Sequence, residues 1–250
     1  MNRINKELVA RRFAGSIDSY TANAVVQKET AHGLVAALKA ESGSRFDTIF
    51  EVGCGSGLLT SIIARELQYR KLTVNDLVPD CRGSIAKIAD GEFIEGDIET
   101  IPELPSPVDL VISNATFQWL ANPEAAFARL AAIMPSGGIL AFSTFGPENL
   151  REIAAITGHS LFYRSITDIR KMLTDDFEIK TIAEQSRSIV FNAPQAVLEH
   201  LRKTGVTGIS SKIWTKSVLK NFINGYIDRY SVTGGVVLTY HPILVIAVKR

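Results

Sequence analysis

From residue 48 to residue 145 short apolar runs alternate with segments of helical period, and this rhythm constrains the fold more than any single residue does. TIFEV precedes LLTSIIARELQ, then come KLTVNDL, GEFIEGDI and PVDLVISNA, then the helix NPEAAFARLAAIM and the run GGILAFSTF. Apolar strands separated by helices imply a parallel sheet covered on both faces. Right-handed crossovers then give an α/β, doubly wound sheet. Before this core, Ile4 to Tyr20 and Ala22 to Ala40 read as helices. After Phe145, PENLREIAAITG and SITDIRKMLTDD read as helices and FEIKTIAEQSRSIVF as a strand. PQAVLEHLRKTG and TKSVLKNFINGYIDRY read as helices again, and GGVVLTYHPILVIAVKR as one long closing strand. The expected organisation is N-terminal helices over 1–44, a core over 45–145, and a helical insertion within a C-terminal strand pair over 146–250.

Doubly wound sheets bind ligands at the carboxyl ends of their strands, near the switch point. The first strand–helix turn is Glu51-Val-Gly53-Cys-Gly55-Ser-Gly57. Its glycines let backbone approach a ligand, and the following helix points its amides there. A dinucleotide loop wants Gly-x-Gly-x-x-Gly, but here Leu58 stands at the third place and glycines fall at alternate positions. A phosphate loop would need Gly-Lys-Ser/Thr, which is absent. Glu51 would repel a pyrophosphate and suits a ligand carrying an ammonium group. At the second strand end Asp76 can accept both hydroxyls of a ribose. At the third, Asp97 can accept from an exocyclic adenine amine, beside the apolar wall of Ile98. The fourth ends Ser113-Asn114-Ala115. Asp76 or Asp97 alone is equally a helix cap. Together these groups suit a nucleoside joined to an amino acid.

The remaining composition narrows the class. Hydrophobic residues make up 46% of the 250, enough for a substantial core. No apolar run approaches the ~20 residues of a membrane helix, and MNRINKELVARRF lacks a signal peptide's apolar centre. Cys54 and Cys81 are the only cysteines, so neither a disulfide framework nor a cysteine-built metal site is expected, and a reduced, cytoplasmic setting is. A net charge of +1 argues against a nucleic-acid binder. Locally, Leu201 to Ile227 contains no Asp or Glu but carries Arg202, Lys203, Lys212, Lys216 and Lys220. That stretch is either a solvated face or a surface for an acidic partner.

The pieces EVGCGSG, NDL with Asp76, GDI with Asp97, and VDLVISNATFQWL resemble the class I S-adenosylmethionine-dependent methyltransferases. Further segments, RRFAGSIDSYTANAVVQ, SNATFQWL, STFGPENL, LRKTGVTG and LTYHP, extend the resemblance over nearly the whole chain to the malonyl-[acyl-carrier protein] O-methyltransferases of biotin biosynthesis. That resemblance implies a mainly parallel seven-stranded sheet, S-adenosyl-L-methionine as cofactor with S-adenosyl-L-homocysteine as product, no metal, and a malonyl-loaded acyl-carrier protein as partner. It implies that Glu51, Gly53, Gly55 and Gly57 hold the donor's methionine end, Asp76 with Leu77 the ribose, Asp97 and Ile98 the adenine, and Asn114 the ammonium. Tyr20 and Gln27 match an N-terminal pair that folds over the donor. Two places depart from the family's pattern, Ser16-Ile17 and Val206-Thr207-Gly208, and both bear on the substrate side.

A malonyl carboxylate is already ionised at neutral pH, so no general base is needed. A tight bidentate arginine would favour the ground state over the transition state, in which the negative charge disappears. Tyr20 is the candidate catalytic residue, a lid group positioning donor and carboxylate, or else an aromatic packing into the core. Phe117, Gln118 and Trp119 are candidates for the substrate floor, with core packing the alternative for the two aromatics. Arg202 and His241 are candidate substrate contacts, or a surface arginine and a strand-end histidine. The basic insertion would meet the carrier. A trans-aconitate-type carboxyl methyltransferase is the alternative acceptor class, but its tricarboxylate calls for several converging arginines.

Overall fold

The computed structural model describes residues 4–205 and 214–250. Strands β1 (Thr48–Val52), β2 (Lys71–Asp76), β3 (Glu92–Glu95), β4 (Leu110–Asn114), β5 (Ile139–Phe145), β6 (Phe177–Glu184) and β10 (Pro242–Lys249) form one sheet in the order β3-β2-β1-β4-β5-β10-β6. β1 pairs in parallel with β2 and with β4, so the order reverses at the β1/β4 boundary. β10 runs antiparallel to both β5 and β6. All seven residues of β5 are buried, as strands covered on both faces require.

Helices α3 (Val25–Ser42) and α4 (Leu58–Glu66) cover one face, and α6 (Pro123–Ala132) and α8 (Ile166–Leu173) the other. Local chemistry starts them. Gly57 takes the left-handed conformation (φ +84°) that turns β1 into α4. Asn122 caps α6 with Pro123 in its first turn, and Ser165 with Asp168 makes a capping box on α8. A short helix, α5 (Cys81–Ile85), follows β2.

The N-terminal helix expected over residues 4–20 is two helices, α1 (Lys6–Ala14) and α2 (Ile17–Asn23). The Ser16 side chain and amide both bond back to the Phe13 carbonyl, which closes α1 and starts a new axis. The two strands expected late in the chain are also broken. FEIKTIAEQSRSIVF divides into β6 and β7 (Arg187–Phe191), and the closing run into β9 (Gly235–Tyr240) and β10. β7 and β9 join β8 (Ser231–Val232) in a separate three-stranded sheet. The break lies at His241-Pro242, where proline has no N–H to continue a ladder. The insertion is therefore not purely helical. Its helices α7 (Arg151–Thr157), α9 (Pro194–Lys203) and α10 (Lys216–Tyr230) pack on the small sheet around Tyr226, Leu238 and Tyr240.

Candidate active site

A cavity with about 1290 Å³ of empty space opens over the carboxyl ends of β1, β2 and β4. Its floor is the glycine turn. Gly53 (φ +73°) and Gly55 (φ +54°) occupy left-handed backbone. The Gly53 and Cys54 amides donate to the Asn75 carbonyl at 2.8 and 2.9 Å, pinning the turn to β2. A Cβ on Gly53 would stand 2.2 Å from Thr116 Oγ1, and one on Gly55 would stand 3.0 Å from the Phe13 ring. The turn thus needs glycine twice over, for conformation and for space.

Asp76 closes the turn. Its Oδ2 accepts from the Gly55 amide at 2.8 Å and its Oδ1 from the Val78 amide at 2.9 Å. Burial raises its pKa, and those backbone bonds oppose the rise. Lone pairs remain for a ligand's hydroxyls, and Leu77 lines the wall beside it. At the neighbouring strand end, Asp97 and Ile98 line the cavity, but Asp97 is not free. Lys6 Nζ, brought by α1, sits 2.7 and 2.6 Å from its two oxygens and also pairs with Glu99.

Gln27 of α3 is almost wholly buried, lines the cavity, and has its Oε1 without a partner among the described residues. Its backbone carbonyl accepts from Asn114 Nδ2 at 3.1 Å, so Gln27 and Asn114 meet across the helix–sheet boundary. A buried acceptor left open in a cavity suits a cationic N–H donor.

Above lie α1 and α2. Phe13 and Tyr20 stack edge-on with ring centroids 5.2 Å apart, and Thr21 Oγ1 bonds Ser56 Oγ of the turn at 2.9 Å. Burial, with the Asp76 charge nearby, pushes the Tyr20 pKa up, so its hydroxyl keeps its proton. The end of α9 seats this lid. Ser19 Oγ donates to the Lys203 carbonyl at 3.1 Å, and Thr204 and Gly205 line the cavity.

Several expected contacts are corrected. Glu51 is not among the cavity's lining residues; it is fully buried beneath the turn, with Oε2 accepting from Thr60 Oγ1 at 2.7 Å and Oε1 unpartnered among the described residues. Gly57 also faces away, since a Cβ there would strike Ile88 Cδ1 at 2.2 Å. Phe117 joins Phe127 and Phe142 in the core, with centroids 5.3 and 5.1 Å away. Gln118 and Trp119, on the same short turn, do line the cavity. His241 is spent on structure: Nδ1 accepts from the Glu148 amide at 3.1 Å and Nε2 pairs with Glu184 at 3.0 Å. Arg202 is exposed and lies outside the cavity wall. Lys212 and the departure at residues 206–208 lie outside the described residues.

Glu51 has a consequence for stability. Burial raises its pKa from 4.5 to about 8, against the opposing Thr60 bond. Between those values the folded chain holds a proton that the unfolded chain has released, so Glu51 makes stability fall as pH rises from 4.5 towards 8. Glu51→Gln, which carries no titrating proton, is expected to match the parent near pH 5 and to be more stable at pH 8 by about 3 kcal/mol. Chemical denaturation of ligand-free protein at both pH values measures this; equal differences at the two would refute it.

The far half of the cavity is built by the insertion, which was expected to cap the pocket, but through residues other than Arg202 and His241. Asn149, Leu161, Tyr163 and Tyr240 line it with Phe145. Among the described lining residues the charged ones are Lys6, Asp76 and Asp97, and no arginine is among them. STFGPENL and LTYHP foreshadowed the segments holding Asn149 and Tyr240; nothing in the sequence singled out Lys6 or Tyr163.

The family described as "Methyltransferase domain" matches residues 50–142. A malonyl-[acyl-carrier protein] O-methyltransferase of Chlorobium luteolum is 39% identical over 98% of this chain and 96% of its own length. The enzyme of that name from Prosthecochloris aestuarii is 36% identical over 96% and 92%. Among solved structures, magnesium protoporphyrin IX methyltransferase from Synechocystis, with bound S-adenosyl-homocysteine, aligns with a TM-score of 0.57 at 18% identity, covering 90% of this chain and 84% of that one. This last likeness concerns the fold.

Proposed function

Since the chain belongs to the malonyl-[acyl-carrier protein] O-methyltransferase family, we infer that it methylates the free carboxylate of a malonyl thioester on an acyl-carrier protein. S-adenosyl-L-methionine is the methyl donor. The observation that carries this reading is one cavity joining the Gly53–Asp76 turn to a far wall that holds no arginine among the described residues. When bound, the donor supplies a methyl group on cationic sulfur, and a carboxylate oxygen forms the new C–O bond as the S–C bond breaks with its electron pair left on sulfur.

The chain's own residues bind, align and exclude water. Gly53 and Gly55 admit the methionine end, and the open Gln27 Oε1 suits its ammonium. Asp76 suits the ribose, and Asp97 with Ile98 the adenine, under the α1 lid that Lys6 ties down. Tyr20, a cavity-lining phenol that burial keeps protonated, is proposed to position the donor and the carboxylate. No proton has to be removed from the acceptor, and the Cys54 thiol beside the turn is no activated nucleophile, since burial pushes its pKa up. Esterification removes the malonyl charge and lets the group be extended as an ordinary acyl primer, consistent with a role in forming the pimeloyl part of biotin.

The carrier is proposed to dock on the acid-free surface. Lys216 and Lys220 are exposed on α10, beside exposed Val218 and Leu219. Lys203 is partly committed to Glu199, 2.9 Å away. No helix among the described residues is long and apolar enough to cross a membrane.

The direct test offers methyl-labelled donor to malonyl-carrier protein, malonyl-CoA and trans-aconitate; label on trans-aconitate alone would overturn the reading. Lys216→Glu with Lys220→Glu is expected to raise KM for malonyl-carrier protein about tenfold and leave malonyl-CoA kinetics unchanged. An equal change for both substrates would move docking elsewhere.

A further inference from the structure

The far half of the cavity contains a polar relay that donor binding does not use. Asn149 begins it. The His241 amide donates to Asn149 Oδ1 at 3.2 Å, and the next residue, Leu150, is held in left-handed backbone (φ +54°) by its amide bond to the Thr239 carbonyl at 2.8 Å. A left-handed leucine is strained and persists only where its surroundings impose it. The Asn149 side chain, held in this way, shares the cavity wall with Tyr163 and acts on its phenol, opposing the rise in pKa that burial causes. Burial dominates and keeps the phenol protonated. The protonated phenol lines the cavity and can donate into it. The neighbouring phenol, Tyr240, is occupied by His200 Nε2 at 2.7 Å.

We propose that Tyr163, oriented by Asn149, is the neutral hydrogen-bond donor that recognises the carboxylate of the acceptor. The proposal rests on the carboxyl-methylating function inferred above and names the group that receives the substrate. A neutral donor suits this reaction. It marks the carboxylate against an amide or ester, yet loses less than a cation would as the oxygen's charge is cancelled in the transition state. Lys6, the lining cation among the described residues, is held by Asp97 and Glu99 at the opposite end. The proton stays on Tyr163 throughout. Asn149 is a positioning residue, and the GPENL and TYHP segments act through it: the amide of His241 sets the orientation of Asn149.

Tyr163→Phe removes one oxygen. Steady-state kinetics with malonyl-carrier protein and with malonyl-CoA are expected to show KM raised about 10- to 100-fold for both, the range of one hydrogen bond to a charged group. S-adenosyl-L-homocysteine affinity, measured by calorimetry, stays at the parent value and certifies the fold. The parent's preference for malonyl-CoA over its methyl ester, read as the ratio of inhibition constants, collapses in the variant. Asn149→Leu keeps the phenol but frees it, so KM rises by a smaller factor while kcat holds. This second variant decides the matter if the first does not fold. Unchanged KM and an unchanged acid-to-ester ratio in a folded variant would overturn the proposal. A parent enzyme that methylates no malonyl thioester would instead overturn the function on which it rests.

Discussion

Gly53→Ala is expected to abolish donor binding, raising the dissociation constant for S-adenosyl-L-homocysteine at least ~100-fold. Two costs combine. Left-handed backbone costs a non-glycine residue about 1–2 kcal/mol, and the new methyl would lie 2.2, 2.4 and 2.8 Å from Oγ1, Cγ2 and Cβ of Thr116. Threonine is short, so all three contacts cannot be relieved by a rotamer change, and overpacking of this kind costs about 1–3 kcal/mol. The relief must come from the turn itself, which is tied to Asn75 by the Gly53 and Cys54 amides. A displaced turn no longer presents the Gly55 amide to Asp76. Adding Thr116→Gly should recover part of the affinity, leaving the conformational cost. Calorimetric titration of the parent, single and double variants checks this, and parental affinity in Gly53→Ala would refute the assigned role of the turn.

Asp76→Ala should be comparably severe, with donor affinity reduced ~100-fold or more. The carboxylate joins two parts of the site. It receives the Gly55 and Val78 amides, and in the proposed binding mode its remaining lone pairs accept from the ribose. Each hydrogen bond to a charged group contributes about 1.5–3 kcal/mol, and removing the acceptor leaves both backbone donors unsatisfied in a buried place. Asp76→Asn keeps one acceptor oxygen and is expected to fall between the two. Structural damage and lost ribose contact can be separated with a homocysteine product analogue lacking the ribose hydroxyls. The analogue should bind the parent more weakly than the natural product does, and bind Asp76→Ala no more weakly than the natural product does. If the loss from the missing hydroxyls persisted in Asp76→Ala, the ribose would be held elsewhere.

The readable parts of this chain share a physical cause. Between Thr48 and Phe145 each strand and helix carries its own period, and a parallel sheet places successive strand ends on one edge. Gly53, Asp76, Asp97 and Asn114 could thus be assigned to one cleft from local pattern alone, and all four line the cavity. Which way a side chain turns at a strand end or within a tight turn is less legible. Glu51 looked like a ligand contact, yet it points under the turn to Thr60. Phe117 and Trp119 are two residues apart on one short turn, and one enters the aromatic core while the other meets the cavity.

By itself the sequence determined a doubly wound sheet, a glycine turn unsuited to phosphate, and the acids that follow it, because these depend on backbone conformation and short-range periodicity. Tertiary structure decided which residues of the insertion build the far wall of the acceptor half. The apolar run from Gly234 to Arg250 reads as one strand, but its break at His241-Pro242 sends β9 to the small sheet and β10 to the large one. That division brings the amide of His241 to Asn149 and sets Tyr240 in the cavity wall, while α1 carries Lys6, 91 residues earlier in sequence than Asp97, to that carboxylate. Contacts of this kind depend on which surfaces remain to be buried once the sheet has formed, and no local pattern of residues records that.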